Sequence, residues 1–106
     1  MEKNIKLIGA DALSEIGFTQ VPNALYDVDV SIGAKHTYSM LLSYAWHNDY
    51  CFPGQETLAT RMRCSSRSVR TYLKELEAAK LLVIKKQGQG RVNIYQLDLR
   101  VKAFHR

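Results

Sequence analysis

Only three residues, Arg63-Cys64-Ser65, separate two segments that both carry helical periodicity. Gln55 to Met62 places Leu58, Ala59 and Met62 on one stripe, and Ser66 to Ala79 places Val69, Leu73 and Leu76 on another with Tyr72 at its shoulder. Apolar residues three and four apart fall on one helical face, which turns toward the core. Three residues are too few to cross to a distant part of the molecule, so the two helices must be packed neighbours. Ser65 has the chemistry of an N-cap for the second of them. Arg67, Ser68, Arg70, Thr71 and Lys74 are then left facing away from the core.

The flanking segments extend this frame. Ser31 occupies an N-cap position, and Ala34, Tyr38, Leu41, Leu42 and Ala45 recur at helical spacing, so residues 32–47 are expected to form an amphipathic helix ended by Asn48-Asp49. YCFPG supplies a short extended stretch before Pro53-Gly54. Downstream, Leu81 to Lys86 and Val92 to Leu97 alternate at period two around QGQG, the pattern of a β-hairpin whose turn glycine permits. Upstream, Phe18 to Val21 alternate as β-formers until Pro22 removes an N–H, and Asn23 to Tyr26 suits a helical turn. The first seventeen residues hold an apolar run, Ile5 to Ile8, and a weak helical pattern over Ala10 to Ile16, and support no firm assignment.

Helix, extended piece, helix, three-residue turn, helix, hairpin is the order of an α+β winged helix-turn-helix, a three-helix core with a C-terminal β-hairpin wing. The 106 residues, 46% of them apolar, suffice for one core. The expected division is an N-terminal segment over 1–17, the winged domain over 18–97 and a tail over 98–106. Neither an internal repeat nor a low-complexity segment interrupts it.

Charge is distributed unevenly along the chain. Residues 1–60 carry three Lys against seven Asp or Glu, net −4, whereas residues 61–106 carry twelve Lys or Arg against three, net +9. A split of this kind concerns partners and not fold, and it points to a polyanion, nucleic acid above all. Two cysteines without a signal peptide or a long apolar run indicate a reduced, cytoplasmic setting and no membrane partner. His47, Cys51 and Cys64 lack the paired spacing of zinc ligands, so no metal is expected and the thiols are read as small packing groups. Tyr44 and Trp46 are read as packing residues, and His36 and His105 carry no pattern. There is no nucleophile elbow, phosphate-cradling loop or carboxylate cluster, so neither an enzyme, a cofactor nor a small-molecule ligand is expected.

Double-stranded DNA fits the basic half best. The major groove admits one α-helix, and its base edges offer acceptors to Arg and Ser. Ser65, Ser66, Arg67, Ser68, Arg70 and Thr71 are the candidate contacts on the reading helix, with Lys74 a turn further back better placed for a phosphate. Lys85, Lys86, Gln87, Gly88, Gln89, Gly90 and Arg91 are the candidates on the wing, placed to meet the backbone or the narrow minor groove, whose negative potential attracts Arg. Gln55 and Arg63 are further candidates at the edges of the helix-turn-helix.

GFTQVPNALYD, the run from AKHTYSMLLSYAWHNDYCFPGQETLATRMRCSSRSVRTYLKELEAAKLLVI, and GRVNIYQL together resemble the winged-helix domains near the N-termini of plasmid and phage replication initiators, including the phage replication protein O type. The pattern F-P-x-Q-x-x-L-A followed by S-x-R-x-V-x-x-x-L-K-E-L is also similar to GntR-type regulators. The resemblance spans roughly residues 17–97 and implies fold and DNA binding, with Ser65 as the cap, Ser66, Arg67, Ser68, Arg70 and Thr71 at reading positions and Gly88 to Arg91 at the wing tip. Where those domains place glycine in the turn this chain has Arg63, and where they close the reading helix with A-G-L-L it has Ala79-Lys80-Leu81-Leu82. Both residues are expected to take left-handed backbone at a cost on the order of 1 kcal/mol each. The resemblance implies an accessory of plasmid or phage replication or of conjugative transfer, in a bacterial cytoplasm with the nucleoid or a plasmid. Alternatives are a small transcriptional repressor and a winged helix that docks proteins. One module of this size reads few base pairs, so a homodimer or several copies on repeated sites are expected, joined through residues 1–17 or through the tail with its Val101 and Phe104.

Overall fold

The computed structural model of the protein describes residues 6–45, 53–85, 88 and 94–97. A 3-10 turn, Ala10–Ala12, leads into the short α1, Leu13–Ile16, and a second 3-10 turn covers Asn23–Asp27. Three longer helices follow: α2 (Ile32–Ala45), α3 (Gln55–Met62) and α4 (Ser66–Ala78). The strands β1 (Leu82–Lys85) and β2 (Ile94–Leu97) pair antiparallel, with Leu82 opposite Leu97 and Ile84 opposite Tyr95. The result is α+β, a trihelical core of α2, α3 and α4 with the hairpin packed beside α4.

Each of the three longer helices buries a stripe that its spacing demands. Ala34, Tyr38, Leu41 and Leu42 come from α2, Leu58 and Ala59 from α3, and Val69, Leu73 and Leu76 from α4. Leu81, Leu82 and Tyr95 close the core from the hairpin, with Ile84 and Leu97 packed against it. Alternation holds along β1, where Leu82 is buried and Val83 and Lys85 are exposed. Leu25 and Val28, around the second 3-10 turn, cover another side of the core, and Lys35 Nζ donates to the Tyr26 carbonyl at 2.6 Å, tying that turn to α2.

Helices α3 and α4 end in the same way. After α3, the N–H of Arg63 donates to Thr60 O at 3.3 Å and that of Cys64 to Ala59 O at 3.0 Å. After α4, the N–H of Lys80 donates to Glu77 O at 3.0 Å and that of Leu81 to Leu76 O at 3.1 Å. These are two Schellman closures, and each needs left-handed backbone at its first residue beyond the helix. Arg63 has φ 57° and Lys80 φ 64°, as expected for the two non-glycine positions. The apolar contact that accompanies the motif is present in Leu81 and Leu76, both fully buried.

Two contacts set α2 against α4. The Ser31 hydroxyl accepts from the Ala34 N–H at 3.2 Å and donates to Glu75 Oε1 at 2.6 Å, while the Ser31 N–H donates to Glu75 Oε2. One carboxylate on α4 thus completes the cap of α2. Gly33, in the first turn of α2, lies so close to the Tyr72 ring that a Cβ there would collide with it.

Elsewhere the structure is plainer than the sequence suggests. Phe18 to Val21 form no strand and pair with nothing in the sheet; Phe18 is exposed and only Val21 turns toward the core. Alternation over four residues carries no ladder without a neighbouring edge. The end of the helix expected over 32–47 beyond Ala45, the stretch Tyr50 to Phe52, Trp46, His47, Cys51 and the tail 98–106 lie outside the described residues.

Gly33→Ala is expected to destabilise the protein by about 1–3 kcal/mol through overpacking against Tyr72, despite the helix propensity alanine adds. In a Tyr72→Ala background the same substitution should be neutral or stabilising by up to about 1 kcal/mol. Urea unfolding of the four chains measures the cycle, and equal effects in both backgrounds would refute the contact.

Candidate nucleic-acid interface

Arg67, Arg70, Thr71 and Lys74 are spaced i, i+3, i+4 and i+7 on α4, which gathers them on one exposed face. Val69, Leu73 and Leu76 hold the opposite face in the core, so the basic face has a fixed orientation. The Thr71 hydroxyl donates back to the Arg67 carbonyl at 3.1 Å, which fixes its rotamer and leaves its oxygen able to accept.

The serines are more occupied than their side chains alone indicate. Ser65 Oγ accepts from the Ser68 N–H at 3.0 Å and donates to Ser68 Oγ at 3.0 Å, the expected cap plus a second bond between hydroxyls. Ser66 Oγ donates to Glu56 Oε1 at 2.7 Å. Ser65, Ser66 and Ser68 therefore shape the entrance to α4, and a contact from Ser66 requires it to exchange partners or to use its lone pairs. Glu56 was not among the sequence candidates. Its signal is an acid in the first turn of α3, one residue after Gln55, but nothing in sequence spacing announces that it meets Ser66 across the turn.

Arg63 is exposed in that turn, its left-handed backbone aiming it from the junction of α3 and α4, and Gln55 is half-buried at the start of α3. The candidates Arg63, Arg67, Arg70 and Lys74 thus lie on two consecutive pieces of chain around α4. On the hairpin Lys85 is exposed at the end of β1, and Gly88 has φ 116°, a backbone that only glycine adopts without strain. Lys86, Gln87, Gln89, Gly90 and Arg91 lie outside the described residues.

Other candidate chemistry is sparse. Among the described residues no group of three His, Cys, Asp or Glu side chains is gathered as metal ligands would be, and no helix is long and apolar enough to cross a membrane. Cys64 is half-buried against the core. Tyr44 packs on the core edge, and the Arg61 guanidinium lies 5.3 Å from the centre of its ring, a cation–π contact.

Comparison with known proteins agrees with this fold. A solved structure described as the N-terminal domain of a DNA binding protein matches with a TM-score of 0.58 at 19% identity, covering 90% of this chain and 84% of that chain. No curated protein matches in sequence. Residues 32–82, the stretch from the start of α2 into β1, match the helix-turn-helix domain family, and with the antiparallel hairpin behind them the fold is a winged helix-turn-helix.

Proposed function

We propose that this chain binds double-stranded DNA with sequence preference, α4 in the major groove and the hairpin tip along the neighbouring backbone or minor groove. The observation that carries the reading is the face of α4, where Arg67, Arg70, Thr71 and Lys74 stand together on a helix whose other side is locked in the core. The match of residues 32–82 to a helix-turn-helix domain family and the likeness to a domain of a DNA binding protein support it. Arg67 and Arg70 are assigned to base edges or adjacent phosphates, and Lys74 and Arg63 to phosphates. Ser65, Ser66, Ser68, Thr71 and Gln55 shape or contact the same surface. Lys85, Lys86, Gln87, Gly88, Gln89, Gly90 and Arg91 form the second contact. The chain acts as a binding module and not as an enzyme, in a bacterial cytoplasm, with two copies on paired or repeated sites.

Affinity for a selected duplex should fall steeply with salt, log K against log salt having a slope of about −0.9 per phosphate neutralised. Arg67→Ala should cost about 1–3 kcal/mol on the selected duplex and much less on a random one if the guanidinium is bidentate to guanine. A flat salt dependence would sink the DNA reading, and equal losses on both duplexes would make Arg67 a phosphate contact.

Glu56 introduces a negative charge beside the entrance to α4. Glu56→Gln keeps an acceptor for Ser66 and removes that charge, so affinity for every duplex should rise about three- to tenfold, the size of one solvent-screened Coulomb interaction of about 1 kcal/mol. Anisotropy titrations would measure it. Loss of affinity confined to the selected site would instead place the carboxylate on a cytosine amino group.

The biological role proposed is an accessory in the replication or transfer of a plasmid or phage, on the strength of the resemblance to initiator domains. Binding sites selected in vitro should then map to repeats within an origin of the source replicon. Sites lying over a promoter would favour the transcriptional repressor.

A further inference from the structure

The N-terminal arm, residues 7–18, is apolar and buries nothing. Leu7 is 78% exposed, Ile8 90%, Ile16 77% and Phe18 61%, and neither the 3-10 turn nor α1 contributes a residue to the core. At about 200 Å² for a fully exposed large apolar side chain, these four leave on the order of 600 Å² open to water. Monomers ordinarily gather no more than about 300–600 Å² of apolar surface in one patch, so this much on one short segment is a large unburied area. Doubled across a two-fold axis it gives about 1,200 Å², where stable protein–protein interfaces begin.

The arm also borders a receptor. Ile16, Phe18 and Thr19 on one wall, with Ser43, Tyr44 and Arg61 on the other, line a cleft of ≈ 410 Å³ between the arm and the helical core. The wall from the core is amphipathic, the Tyr44 ring with the Arg61 guanidinium over it. The arm carries the complementary chemistry, the apolar pair Leu7-Ile8 followed by exposed Asp11 and Glu15.

From this juxtaposition we infer that the arm is a dimerisation element whose partner is a second copy of this chain, Leu7 and Ile8 of each copy seating in the other's cleft with Asp11 or Glu15 facing Arg61. The exchange is isologous: ligand and receptor are both present on each chain, so one two-fold axis satisfies both and the assembly closes at two. The assignment rests on the reading of two copies per DNA site and names the surface that joins them. It leaves α4 and the hairpin tip uninvolved.

Sedimentation equilibrium of the full chain tests it, without DNA, from one to one hundred micromolar. The wild-type chain should be dimeric at the upper end, and the double variant Ile8→Asp with Ile16→Asp should be monomeric with unchanged far-UV circular dichroism. That variant should keep wild-type affinity for a single-site duplex and lose the advantage on a two-site duplex. Arg61→Glu should weaken the dimer and either Asp11→Arg or Glu15→Arg, added to it, should restore it, a rescue that a misfolded chain would not give. Val101→Asp with Phe104→Asp should leave the dimer intact. A wild-type chain monomeric throughout, or an arm variant as dimeric as the wild type, would overturn the assignment. Dissociation by the tail variant would give the interface to residues 98–106 instead. If a monomeric wild-type chain still loaded two copies on a two-site duplex, the arm would fail while the two-copy reading stood.

Discussion

The left-handed backbone at Arg63 sets the direction of everything that follows it. With φ 57° and ψ 48° the chain reverses out of α3, Cys64 closes the helix by bonding to Ala59 O, and Ser65 is delivered in extended conformation as the cap of α4. A residue with a side chain costs on the order of 1 kcal/mol there relative to glycine. The cost recurs at Lys80, where α4 gives way to β1. In both places the Schellman bonds satisfy carbonyls that would otherwise be orphaned, and a buried or half-buried residue follows, so the strain is held by packing. What an arginine adds over glycine at the first turn is a positive charge at the mouth of α4, which is consistent with the proposed DNA contact.

Orientation of α4 is fixed a second time from the other side. Glu75 holds the N-terminus of α2, and Gly33 lets Tyr72 lie against that helix. Together with Val69, Leu73 and Leu76 these contacts leave α4 little freedom to roll. A face of Arg and Lys side chains on such a helix is preorganised, and preorganisation lowers the ordering cost of binding.

Much of this frame was legible in the residues because it is local. Helix periods, the Ser31 and Ser65 caps, the period-two hairpin and the two left-handed positions depend on neighbours within a few residues. The bonds from Glu75 to Ser31 and from Glu56 to Ser66 span 44 and 10 residues, and no spacing rule announces them. They matter to the candidate site, since one orients α4 and the other places an acid at its entrance. The arm was obscure for a different reason: a short apolar pattern acquires a definite structure from what it packs against, and within this chain it packs against almost nothing. Phe18 to Val21 show the same limit, having the alternation of a strand without an edge to pair with.

The central claim is that the N-terminal half of α4 and its flanking turn meet DNA. Titration of a single-site duplex into 15N-labelled protein, followed amide by amide, tests it most directly. The account predicts that the largest shifts cluster at residues 63–74, with a second group at Lys85 and Gly88, while residues 7–18 and the buried stripe of α2 change little. Shifts concentrated on the arm, or none at duplex concentrations that saturate other helix-turn-helix domains, would contradict it.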